Sequence, residues 1–97
     1  MILLLDDVEK VRDLFEALSS TTRIKILLII RDKQMSVSEL SEKLKLSKAD
    51  ISNQVSFLEK VGLVETSYLP GVKGVKKLVR LKEKEITILL GGGFKEG

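Results

Sequence analysis

With 97 residues, 43% apolar and 32% charged, the chain is sized for one small globular unit, near the lower end of comfortable domain lengths. It has no cysteine and no histidine, which excludes disulfides and thiolate metal sites and removes the usual general base. The net charge of +3 is unevenly spread: Asp6, Asp7, Glu9, Asp13 and Glu16 outweigh Lys10 and Arg12, whereas Lys73, Lys76, Lys77, Arg80, Lys82 and Lys84 outweigh Glu83. A basic segment set apart from an acidic one suggests a polyanion-facing side, although charge alone fits a solvated basic face equally well. The absence of Cys, with few Asn and Gln and many Ile, Lys and Glu, would suit a hot habitat.

"MILLL" is too short for a signal-peptide core and runs straight into Asp6-Asp7. No stretch approaches a membrane span, so a soluble cytoplasmic protein is expected. From Asp7 to Leu18, the residues Val8, Val11, Leu14, Phe15 and Leu18 recur at helical spacing. "SSTTR" then supplies a run of capping residues, with Thr22 expected as the N-cap. "RIKILLII" has the β-branched density of a buried strand, which periodicity alone does not exclude. Its continuation into Arg31-Asp32-Lys33 and the cap before it favour a helix, apolar nearly all round, in the middle of a bundle.

"SVSE" at 36–39 is a capping box in which Ser36 and Glu39 satisfy each other's backbone amides. Val37, Leu40 and Leu44 line the short helix that follows. "SKAD" at 47–50 repeats the device and opens a further helix with Ile51, Val55 and Leu58 as its buried stripe and Gly62 as its left-handed stop. Two short capped helices so close together form a helix-turn-helix pattern. After Gly62 the period becomes two: "LVETSYL" reads as a strand, "PGVKG" as a turn and "VKKLVRL" as the returning strand. "EITILL" reads as a third strand or partner-facing segment, and residues 91–97 as a frayed glycine-rich tail. The expected fold class is α+β: a winged helix-turn-helix of about four helices and a hairpin wing, one domain over residues 1–90.

On the second helix of the pair, Lys48, Ala49, Ser52, Asn53 and Ser56 lie opposite the buried stripe. Short side chains permit close approach to base edges in the major groove, and an amide can donate and accept together. Lys73, Lys76, Lys77 and Arg80 on the hairpin would add sequence-independent, salt-sensitive contacts to the DNA backbone. Taken singly these residues are ordinary surface positions, and Ser36 and Ser47 are caps first. The ordered combination is what points to DNA.

"LFEALSSTTRIKILLII" at 14–30 resembles the ArsR family's "L-x-D-P-T-R-x-x-I-L" signature, and "LSKADISNQVSFLEKVGLV" at 46–64 resembles its recognition helix and the start of its wing. The hairpin with Gly71 and Gly74 falls where that family has its wing. The resemblance covers roughly residues 10–82; the MarR family shares the layout. It implies a homodimeric transcriptional regulator, commonly a repressor, that binds imperfect inverted repeats of double-stranded DNA. By position the DNA-contacting residues would be Ser47, Lys48, Ser52, Asn53 and Ser56. Metal-sensing members carry "C-V-C-D-L" where this chain has "SVSEL" at 36–40. Serine hydroxyls are poor ligands for soft metals, so a member without metal or other cofactor, of archaeal type, is expected. Lys45 stands where the family often has Gly.

The apolar "MILLL", Val8, Leu14 and Phe15, with Ile86, Ile88 and Leu90, exceed what so small a core requires, and Leu4, Val8, Val11, Phe15, Ile86, Ile88 and Leu90 are the candidate two-fold dimer interface. Besides the site-specific regulator, a non-specific architectural DNA binder and a winged-helix protein-interaction module are compatible with these features. An enzyme is not expected, because no spacing suggests an activated nucleophile.

Overall fold

The computed structural model describes residues 1–71 and 74–91. Lys73, in the centre of the expected turn, and residues 92–97 of the expected tail lie outside the described residues. The chain runs β1 (Ile2–Leu4), α1 (Val8–Leu18), α2 (Thr21–Ile30), β2 (Met35–Ser36), α3 (Val37–Leu44), α4 (Lys48–Lys60), β3 (Val64–Gly71), β4 (Gly74–Leu81) and β5 (Thr87–Leu89). Four helices and an antiparallel β3–β4 hairpin make a winged helix.

Each helix packs the stripe that its sequence presents. Leu14 and Ala17 of α1, Ile26 and Ile30 of α2, Val37 and Leu40 of α3, and Ile51, Val55 and Leu58 of α4 meet in one core. Leu63, Val64 and Val79 close it from the base of the hairpin. Burying a side chain of this size contributes about 1.5–3 kcal/mol. The core therefore holds α4 from behind and leaves its opposite face to solvent.

Caps set the helix boundaries. Ser36 Oγ accepts from the Glu39 amide at 3.1 Å and Glu39 Oε1 accepts from the Ser36 amide at 2.9 Å, a complete capping box. Ser47 Oγ accepts from the Asp50 amide at 3.0 Å. The expected reciprocal bond from Asp50 does not form, Asp having one methylene less than Glu. At the other end of α4, Leu63 N–H donates to Leu58 O and Gly62 N–H to Glu59 O. This is the double bond of a Schellman stop, with Gly62 at φ +86°.

Several expectations are corrected. Ser20, not Thr22, caps α2: Ser20 is extended and its Oγ accepts from the Arg23 amide at 3.3 Å, leaving Thr22 inside the first turn. Helix α2 ends at Ile30, with Arg31 as C-cap, and does not reach Lys33. Nor is α2 covered all round: Ile24 and Leu28 are 40% and 50% exposed. Pro70 and Gly71 belong to the strand and pair with Val75 and Gly74.

The two chain ends also differ from expectation. Residues 2–4 form a strand, and β5 pairs with it in parallel, Leu3 opposite Ile88. The C-terminal strand therefore does not extend the wing sheet. That sheet instead takes Met35 and Ser36 as its third strand, in the order β2-β4-β3. Among the described residues no helix is long and apolar enough to cross a membrane.

Candidate nucleic-acid interface

Helix α4 presents Lys48, Ala49, Asn53 and Ser56 to solvent, with Ser52 half-buried at the edge of that face. Lys60, one turn beyond Ser56, continues the face and is exposed. The i, i+4 spacing from Ser56 already placed it there, but the basic hairpin drew attention away from it. Ser47 stays outward, yet its hydroxyl is committed to the cap. Asp50 in the first turn is favourable for the helix dipole.

Orientation of α4 depends on Arg23, which lies inside the "TTR" signature although sequence reasoning gave it no role. Its Nε donates to Ala17 O at 2.8 Å and its Nη2 to Glu16 O at 2.9 Å, satisfying carbonyls at the C-terminal end of α1. Its Nη1 donates to Gln54 Oε1 at 2.7 Å, and the guanidinium lies 4.4 Å from the Phe57 ring centroid. One side chain thus ties α1, α2 and α4 together. Gln54 is held behind the helix and is not available for base contact. The far end of α4 is tied to the wing by Thr66 Oγ1, which donates to Glu59 Oε2 at 2.9 Å.

The turn between α3 and α4 contains Lys45 at φ 58°, ψ 44°, in the left-handed region. The amides of Lys45 and Leu46 both donate to Ser41 O, and the Ser41 hydroxyl donates back to Leu46 O. These bonds hold a lysine where glycine carries no steric penalty.

On the wing the basic residues separate. Strand alternation puts Lys76 and Arg80 on one face and Lys77 on the other, beside Val79. Lys76 and Arg80 are exposed, whereas Lys77 is half-buried. Arg80 is opposite Glu65 and pairs with it at 2.7 Å, so its charge is partly neutralised within the protein. Glu39, at the capping box of α3, has a perturbed carboxyl. Its carboxyl sits below the ordinary value, chiefly because it accepts from the Ser36 amide, with Lys76 and Lys33 adding a weaker positive field.

The candidate dimer residues divide in the same way. Val8, Phe15 and Leu90 are 68%, 55% and 72% exposed. Val11 is buried within the chain, Leu4 is half-buried, and Ile86 and Ile88 pack partly against the core. Ile2 and Leu5 of the surplus "MILLL" are exposed beside them in sequence, whereas Leu14, also counted as surplus, is buried in the core.

Residues 20–66, from the cap of α2 into the wing, match the family model for the bacterial regulatory protein, arsR family. The transcriptional activator HlyU of Vibrio cholerae serotype O1 (strain ATCC 39315 / El Tor Inaba N16961) is 38% identical over 53 residues, 55% of this chain and 49% of that protein. The match thus spans about half the length of that curated relative. Reduced HlyU from Vibrio cholerae N16961 has a similar structure, with TM-score 0.68 and 28% identity over 81% of this chain and 79% of that one. The transcriptional repressor BigR from Xylella fastidiosa follows with TM-score 0.61 and 28% identity over 80% of each chain. These relatives are bacterial, and the archaeal shading of the resemblance finds no support in them. Residues 20–66 thus match an ArsR-family helix-turn-helix domain.

Proposed function

We propose that this chain, as one domain over residues 1–90, is a cytoplasmic homodimeric DNA-binding transcriptional regulator. In this reading α4 enters the major groove, with Asn53 and Ser56 meeting base edges and Lys48 at the flank. Ser47 and Ser52 border the contact. The wing lies against the flanking backbone through Lys76 or Lys77, with Lys73 adding charge, and Arg80 contributes less because Glu65 holds it. The observation that carries this reading is the outward face of α4, polar and close-approaching, on a helix tied at Gln54 by Arg23 and at Glu59 by Thr66. The relatives' printed descriptions support it, being transcriptional regulators.

Two such helices must be spaced about one DNA turn apart, roughly 34 Å, to read an inverted repeat. We assign the two-fold contact to Val8, Phe15 and Leu90, with Leu4, Ile86 and Ile88 beneath them. Val11 contributes from within the subunit. Repression by occupying a promoter is our reading of the outcome, although the relatives include one described as an activator and one as a repressor. No metal or cofactor enters it: the hydroxyl of Ser36 is already used by the Glu39 amide. The test is a pair of DNA titrations. Asn53→Ala should lower the ratio of cognate to random affinity more than it lowers affinity overall. An unchanged ratio would place the reading face elsewhere.

A further inference from the structure

A cleft of about 280 Å³ opens beside the C-terminal end of α4, lined by Met1, Leu3, Lys10, Asp13, Leu14, Lys60, Val61 and Gly62. Its floor is apolar: Leu14 belongs to the buried core, and Met1, Leu3 and Val61 are half-buried around it. The Met1 side chain rests over Gly62, with its Cε 3.2 Å from where a Cβ on that glycine would sit. Lys10 from α1 and Lys60 from α4 lie at the cleft from different elements, and neither is in an ion pair among the described residues. Asp13 also borders it, with its carboxylate 3.6 Å from the Arg12 guanidinium. An apolar floor below two lysines with no carboxylate partner is a site for a molecule with an apolar body and one negative end.

We propose that this cleft binds a small amphipathic carboxylate and that the molecule acts as the effector of the regulator. The apolar body lies on Leu3, Leu14 and Val61, and the carboxylate sits between Lys10 and Lys60. The volume is just below the range of about 300–1,000 Å³ typical of drug-sized ligands, so the ligand is short-chained. Position supplies the regulatory step. Lys60, Val61 and Gly62 are the last turn and the Schellman stop of α4, whereas Met1 and Leu3 belong to the β1 end of the chain. A molecule seated between them alters how α4 is carried relative to the chain ends. On α1, Lys10 and Asp13 lie on the flank away from Val8 and Phe15, so the cleft stays open in the proposed dimer.

The effector role rests on the DNA-binding reading; the binding site does not. The experiment is an amide and methyl NMR titration of the full chain with octanoate, with octylamine as the charge control. The expected result is saturable shifts at Leu3, Leu14, Val61 and Gly62 with octanoate and none of that pattern with octylamine. Lys10→Gln and Lys60→Gln, both exposed substitutions, should each weaken octanoate binding at least several-fold while the spectrum stays folded. No saturable shift, shifts centred on Val8, Phe15 and Leu90, or equal binding of octylamine would overturn the site. DNA affinity measured with and without saturating octanoate then tests the effector role: a several-fold change supports it, and an unchanged affinity overturns it. A protein that binds octanoate at the cleft but no DNA would instead contradict the regulator reading and leave the site standing.

Discussion

Replacing Arg23 by Ala removes three hydrogen bonds and a stacked cation at once. The bonds run to Ala17 O, Glu16 O and Gln54 Oε1 at 2.8, 2.9 and 2.7 Å, and the ring centroid of Phe57 is 4.4 Å away. A protein hydrogen bond contributes about 0.5–1.5 kcal/mol net. A partly exposed cation–aromatic contact adds about 0.5–1 kcal/mol. Arg23 is half-buried, and the Glu16 carbonyl bond is exposed, so the lower part of the summed range applies. The expected loss is about 3 kcal/mol, a large share of the roughly 5–15 kcal/mol that stabilises a domain. At about 4–8 °C per kcal/mol, the midpoint should fall by roughly 12–24 °C. Urea denaturation at 25 °C and a thermal scan would measure it. Arg23→Lys is the informative companion: a single ammonium cannot reach both α1 carbonyls and Gln54, so about half the loss should remain. Both variants within about 0.5 kcal/mol of the parent, well inside a single hydrogen bond's contribution, would refute the role of Arg23 as the anchor of α4.

Other outcomes follow from the same geometry. Lys45→Gly should stabilise the chain by about 0.5–1 kcal/mol in urea denaturation, the left-handed penalty of about 1–2 kcal/mol being partly offset by the freer unfolded glycine. A destabilised variant would show that the Lys45 side chain contributes something its backbone strain conceals. Ser36→Ala should cost about 1 kcal/mol through the lost cap. The carboxyl of Glu39 is held below its usual value, so its contribution is present above the unfolded value and lost as pH falls through the folded one. Glu39→Gln keeps the capping oxygen and should flatten that acid limb in pH-dependent denaturation, whereas an unchanged limb would assign it to other carboxylates. On DNA, Lys76→Gln and Lys77→Gln should differ in their effect on the salt slope, because the two residues face opposite sides of the wing. Equal slopes would mean that the hairpin lies edge-on to the duplex.

The parts of the fold written in local sequence were legible. Ser36 and Ser47 mark helix starts through bonds to residues three positions on, and Gly62 stops α4 through bonds within one turn. The buried stripe of α4 and the exposed face opposite it share one periodicity. Parallel pairing of β1 with β5 was not legible, because it joins residues more than eighty positions apart and has no turn between them to announce it. Choosing Ser20 over Thr22 depends on where α1 stops, and all four hydroxyls of "SSTT" are chemically eligible. The Arg80–Glu65 pair depends on hairpin register, which changes when Pro70 and Gly71 enter the strand. Arg23 was visible in the sequence but its partners come from two other helices, α1 and α4, so its role appears only once they are packed.

The central claim is that α4 reads a particular DNA sequence from a two-fold dimer. Selection of fragmented genomic DNA from the source organism by the purified full chain, at physiological salt and with sequencing of the retained fraction, tests it most directly. The expected result is enrichment of an imperfect inverted repeat with half-sites about one helical turn apart. Uniform retention that fades as salt rises would contradict it in favour of an architectural binder. No retention even at low salt would mean that the polar face of α4 meets a protein instead.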